Sequence, residues 1–364
     1  MHVALIADTP WLAEEMPTFR HLAVGLIDEQ VRVAQVVPPT IDEQDLNPLG
    51  DWLTWQDSPW RWMRRWQLPR HSASMHNMGV DVVHALDGRL WEGAMHLAHR
   101  LNANLVLTSA SPSDATMLRR IAPRLDRTRT AIAAGTEPLR DLMRQSVADR
   151  AEVHLVRPGV HVGGDDEATK RNGDDLCAVI SGTGRLDADY ECLFDALRRI
   201  VADLPDAQFF LDAQSADVHP LWNAARRFGL LANMNLVPAM PGHRGTMCGA
   251  DMLIHPQALN RARGLTLQAM AYGLPVLARA DTWLDYLVED RTAWLVDAQD
   301  PQIWYRLIRG IVDDPDKGRR LGARARQWVR DRHLASEQVA ATLGVYRGLT
   351  AEALKFPHDP SPGS

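Results

Sequence analysis

From Met252 to Ala278 the sequence fits one short plan: a strand, a glycine-bearing loop, a helix and a second strand. The apolar run Met252-Leu253-Ile254 reads as a buried strand. Gly264 opens a helix whose apolar surface comes from Leu265, Leu267, Ala269 and Met270, and Gly273 closes it. Pro275 follows, and Val276-Leu277-Ala278 start the next strand. A loop that runs into a helix N-terminus turns backbone N–H groups toward its contents and favours an anion such as a phosphate. Alone, the pattern is better read as an ordinary βαβ unit with no ligand.

The same alternation fills the chain. Runs such as Val3–Ala7, Val31–Val37, Val80–His84, Leu105–Thr108, Thr130–Ala133 and Val153–Val156 read as strands, with helical patterns over Phe19–Ile27 and Leu90–Leu101. Strand–helix alternation implies a parallel, doubly wound sheet. Residues 162–175 are acidic, glycine-bearing and nearly free of apolar side chains, as a linker is. Alternation restarts at Leu176–Ser181 and continues through Phe209–Leu211, Leu236-Val237, Met252–Ile254, Val276–Ala278 and Trp294–Val296. The expected division is therefore a first domain over 1–161, the linker, and a second domain over 176–334. The inter-domain cleft is the default binding site. Residues 357–364 hold polar turn formers and no core residue, so disorder is expected there.

With 364 residues the chain can bury two cores of ordinary size. A net charge of −6 gives no general reason to expect nucleic acid. Cys177, Cys192 and Cys248 lie far apart and match no zinc or disulfide spacing, which points to a reducing compartment. The N-terminus turns acidic after a short apolar run, unlike a signal peptide, and no stretch approaches the ~20 apolar residues that span a bilayer. A cytoplasmic protein is expected.

The run Gly264-Leu265-Thr266-Leu267-x-Ala269-Met270-Ala271-x-Gly273-Leu274-Pro275-Val276 closely resembles the donor-binding stretch of family-4 glycosyltransferases. These are retaining, nucleotide-sugar-dependent enzymes of the GT-B fold that use no metal or other cofactor. The resemblance implies an α/β chain of two doubly wound Rossmann-like domains facing across a cleft, with a helix over 335–356 packing back on the first domain. It extends to Gly184-Arg185-Leu186-Asp187, to Asp251–Pro256 and to Asp313-Asp314-Pro315-x-x-x-x-Arg319-x-Leu321-Gly322-x-x-Ala325. It implies a nucleotide sugar, or another anionic ligand, held by Arg185, Tyr190, Arg263, Gly264, Leu265, Thr266 and Gln268.

At the positions that touch the donor, the chain departs from the family. Two glutamates eight positions apart are replaced by Asn260 and Gln268, the degenerate catalytic positions. An amide cannot place negative charge beside an electron-poor anomeric carbon, and Arg261 and Arg263 make this loop positive. Gln268 can still hold a ribose hydroxyl, without charge assistance; it is also simply a good helix former. A lysine that clamps the diphosphate falls at Tyr190, and a histidine near the sugar falls at Ala110. Arg185 keeps its place, though a surface arginine capping a loop fits equally. His84 remains on the acceptor side, where a lone histidine ending a strand is more often structural than catalytic. The N-terminal glycine pair is absent, and Glu14 and Glu15 occupy that loop, where they would repel a diphosphate. A framework kept and a site stripped imply impaired transfer to an unknown acceptor, or a noncatalytic binding or scaffold protein.

An insertion over 50–70 carries Trp52, Trp55, Trp60, Trp62 and Trp66 with Arg61, Arg64, Arg65 and Arg70. Five indoles with four guanidinia argue against full burial. Trp60, Trp62 and Arg65 are the acceptor-side candidates: an acceptor- or protein-binding lobe ranks first and peripheral membrane contact through 52–70 second. Single-stranded nucleic acid ranks third and is not expected, since the chain as a whole is acidic.

Overall fold

The structure is a computed structural model that describes residues 1–355 apart from 43, 45, 56–71, 165–174, 183–184, 213–217, 238–246 and 248. In chain order its first elements are β1 (His2–Ile6), α1 (Thr9–Asp28), β2 (Arg32–Val37), β3 (Asp51–Thr54), α2 (Ser72–Met78), β4 (Val82–Ala85), α3 (Trp91–Leu101) and β5 (Asn104–Ser109). Next come α4 (Asp114–Ile121), β6 (Thr130–Ala134), α5 (Glu137–Val147), β7 (Glu152–Leu155), β8 (Cys177–Ile180), α6 (Ala188–Asp203), β9 (Gln208–Asp212) and α7 (Val218–Arg227). The rest are β10 (Met234–Val237), β11 (Met252–His255), α8 (Gly264–Ala271), β12 (Val276–Arg279), β13 (Trp294–Val296), α9 (Pro301–Asp313), α10 (Pro315–Arg332) and α11 (Ala335–Lys355).

The chain forms two compact units. The first comprises Met1–Leu12, Thr18–Pro158 and Ala335–Ser364; the second comprises Ala13–Pro17 and Gly159–Leu334. A seven-stranded sheet in the first unit runs in the order β3-β2-β1-β4-β5-β6-β7. A six-stranded sheet in the second runs β10-β9-β8-β11-β12-β13. Both sheets are parallel, so both are doubly wound, with strand order reversing beside β1 and β8. Fully buried strands such as Val3-Ala4-Leu5-Ile6 and Met252-Leu253-Ile254 explain the unbroken apolar runs, because helices cover both faces of a parallel sheet.

Two features were not expected from the sequence. The start of the tryptophan-rich insertion is sheet: Asp51–Thr54 pairs in parallel with β2. Trp55 is 1% exposed, and its indole N–H donates to the Ala7 carbonyl at 3.2 Å. Trp60, Trp62 and Arg65 lie outside the described residues, as do Gly184, Cys248 and the 357–364 tail. Helix α1 begins at Thr9, ten residues before Phe19. Asp8 caps it by accepting from Trp11 N–H at 3.0 Å. Pro17 inside this helix lacks an N–H and crowds the carbonyl one turn back. Glu15 sits at the resulting kink, with φ −124° and ψ 21°.

The glycine framework has a packing reason. Gly273 has φ +79° and ends α8 in the left-handed conformation that glycine adopts without strain. A Cβ on Gly322 of α10 would overlap the Gly273 carbonyl, so α8 and α10 meet through these two glycines. In the first unit, α11 packs on β5 and β6. There the Tyr346 hydroxyl lies 2.6 Å from His84 Nδ1.

Candidate functional site

The C-terminal ends of β8 and β11 lie side by side where the strand order of the second sheet reverses. In an open α/β sheet that is where ligands bind. His255 ends β11 and is buried, with Nδ1 2.8 Å from the Ser181 carbonyl and Nε2 2.8 Å from Thr266 Oγ1. A carbonyl can only accept, so the ring proton sits on Nδ1 and the Thr266 hydroxyl donates to Nε2. Burial holds the His255 pKa down to about 4, helped by the Arg263 guanidinium and opposed by the Ser181 hydrogen bond. The neutral ring therefore ties the end of β8 to the first turn of α8.

That first turn is the centre of the site. Arg263 occupies the N-cap position of α8 but supplies no side-chain cap. The missing acceptor comes from far away in sequence: Glu15 Oε1 accepts from Gly264 N–H at 2.8 Å. Glu14 lies beside it, with Oε1 3.3 Å from Arg263 Nη2 and Oε2 3.6 Å from Arg261 Nη1. The Glu14, Arg261 and Arg263 side chains are 20%, 22% and 12% exposed. Glu14, Glu15, Arg261, Arg263 and Gly264 all belong to the second unit. The two carboxylates that the sequence placed in a repelling loop thus sit on the cationic groups of the α8 terminus.

Asn260 is exposed and has φ +49°. Its N–H donates to Asp281 Oδ2 at 2.7 Å, and Asp281 Oδ1 accepts from Trp283 N–H. Asparagine is among the few L residues that visit the left-handed region readily, so backbone shape accounts for its presence. Gln268 is half-buried on α8, and Leu265 and Thr266 are buried.

On the loop after β8, Arg185 is exposed, and its carbonyl accepts from Gln257 Nε2 at 3.1 Å. The same Gln257 amide donates to Asp187 Oδ2, whose other oxygen caps α6 at Tyr190 N–H. Tyr190 itself is 1% exposed in the apolar core, edge-on to Phe194. In the first unit His84 is buried between the Tyr346 hydroxyl and Thr108 Oγ1, 2.7 Å from Nε2, and burial pushes its pKa down to about 3. Ala110 N–H donates to Asp114 Oδ2 at 3.0 Å. The structure thus brings Arg263, Gly264, Leu265, Thr266 and Gln268 together on α8 and puts Tyr190 in a core and His84 in a buried network. Glu15, Asp281 and Gln257 hold the site loops, and sequence reasoning gave none of them that role. The kink-forming Pro17 was the one signal near Glu15.

Among the described residues no group of His, Cys, Asp and Glu could hold a metal ion, and no helix is long and apolar enough to cross a membrane.

No family model matches the chain. It is 25% identical over 288 residues to a D-inositol 3-phosphate glycosyltransferase of Corynebacterium diphtheriae, covering 70% of this chain and 67% of that protein. It is 30% identical over 241 residues to the protein of the same name from a Nocardioides species, covering 58% and 52%. The chain thus spans about half to two thirds of the length of these relatives. Among solved structures it resembles sucrose-phosphate synthase from Thermosynechococcus elongatus, with a TM-score of 0.76 and 16% identity over 96% of this chain and 99% of that one. It also resembles Anabaena HepE in complex with UDP and glucose, with a TM-score of 0.71 and 14% identity over 96% and 99%. These likenesses show the fold, the two-sheet α/β architecture of GT-B glycosyltransferases.

Proposed function

We propose that this chain is a nucleotide-sugar glycosyltransferase with impaired turnover. The N-terminus of α8 with Arg261 and Arg263 takes the donor diphosphate, where backbone N–H groups and guanidinium charge favour an anion. Gln268 holds the ribose through neutral hydrogen bonds, and Arg185 remains as a third cationic contact. The sugar lies beside Asn260, which offers no negative charge to an oxocarbenium-like centre, so the chemical step is slow. The observation that carries this reading is the placement of the Arg261 and Arg263 guanidinia at the N-terminus of α8, whose first turn the neutral His255 ring ties to the end of β11 through Thr266. The names of the relatives and the HepE complex with UDP support it.

Saturation-transfer NMR with millimolar UDP-sugars and GDP-sugars detects even weak donors. Saturation transfer to one nucleoside, with slow release of free sugar, is the expected result; no saturation transfer to any of them sinks the reading. A second reading, a binding or scaffold protein without catalysis, is favoured by one observation: the Glu15 carboxylate already occupies the Gly264 N–H. Bound nucleotide with no sugar release or transfer at long incubation would select it.

A further inference from the structure

The geometry points to Glu14 and Glu15 acting as an internal anion that occupies the diphosphate position of this chain's own donor site, an autoinhibitory contact that an incoming donor has to displace. The inference rests on the donor reading given above for where a diphosphate goes.

Three observations carry it. First, the Glu15 carboxylate is buried and makes with Gly264 N–H the bond that a donor oxygen would make at a helix terminus. Second, Glu14 faces both Arg261 and Arg263, so the loop's two guanidinia are drawn to the chain's own acid. Third, the internal fit is incomplete. Arg263 Nε and Glu14 Oε2 are both buried without a hydrogen bond among the described residues. Glu14 Oε2 and Arg261 Nη1, at 3.6 Å, are an ion pair beyond hydrogen-bond length. A diphosphate carries more acceptor oxygens than a carboxylate and could also satisfy Arg263 Nε. The kink at Glu15 that Pro17 enforces breaks the regular course of α1 at this residue.

The test is calorimetry of the full chain with inorganic pyrophosphate and with UDP, comparing wild type, E14Q and E14Q/E15Q. Glutamine keeps the length of glutamate and can still accept from Gly264 N–H, but it brings no charge to compete with the ligand. In the double variant both ligands should bind about tenfold tighter or more, since charge-assisted contacts are about twice as strong as neutral ones. E14Q alone, which leaves the α8 cap untouched, should show a smaller gain and decides the matter if the double variant does not fold. Affinities within about twofold of wild type for both ligands, in variants with intact thermal transitions, overturn the proposal. A gain for pyrophosphate with no preference for UDP keeps the internal anion and removes the nucleotide-sugar reading. Tight UDP binding by wild type, unchanged in the variants, does the reverse.

Discussion

His255 and Thr266 are joined by a buried hydrogen bond of 2.8 Å that ties the last residue of a strand to the first turn of the helix after it. Thr266→Val keeps the shape and removes the hydroxyl, leaving the ring nitrogen with a lone pair and no donor. A loss of about 1–3 kcal/mol is expected, the cost of one buried unsatisfied polar group. Urea denaturation measures it, and a change under about 0.3 kcal/mol would mean the bond contributes nothing.

The same histidine makes stability depend on pH. Its folded pKa is near 4, against 6.5 unperturbed, because burial disfavours the charged ring. Between those values the unfolded chain holds a proton that the folded chain lacks, so stability is full above pH 6.5 and declines as pH falls toward 4. His84, held at about 3, extends the decline. Denaturation midpoints taken across this range should fall with acid, and His255→Asn should flatten the upper part of the slope.

A glutamate at position 260 would change the backbone energy as well as the charge. The residue has φ +49°, where glutamate is strained by about 1–2 kcal/mol and glycine is not. Asn260→Gly should therefore melt within a degree or two of wild type, whereas Asn260→Glu should melt several degrees lower. Equal melting temperatures for the two would show that backbone shape does not select asparagine here.

Two glycines in neighbouring helices should respond in opposite senses to alanine. Gly322→Ala drives a methyl into the Gly273 carbonyl and should cost about 3 kcal/mol or more, since neither backbone can yield cheaply. Gly310→Ala in α9 meets nothing within 4 Å and should gain about 0.5–1 kcal/mol from helix propensity. Chemical denaturation of both variants tests the pair together.

Much of this molecule is legible in its sequence because parallel sheets write themselves as unbroken apolar runs. Val3–Ile6 and Met252–Ile254 are buried as expected, and Gly264, Gly273 and Gly322 mark the loop and the helix contact. The site is less legible, and for one reason: its controlling contacts are long-range. Glu15 and Gly264 are 249 positions apart, and nothing local to either announces the other. Tyr190 was expected at the donor from the resemblance alone, but an aromatic ring near a helix start turns into the core that Phe194 offers. The strand at Asp51–Thr54 was hidden for a different cause. It is a short edge strand with half its residues exposed, so the tryptophans around it dominated the pattern.

The last helix has a consequence for how the protein comes into being. Tyr346 closes the buried network around His84, yet 262 positions separate them. A ribosome therefore releases the opening sheet well before it delivers the piece that seals it. Until α11 has been synthesised, β5 and β6 lack its cover, and the nascent chain leaves the exit tunnel with apolar surface that a chaperone can recognise.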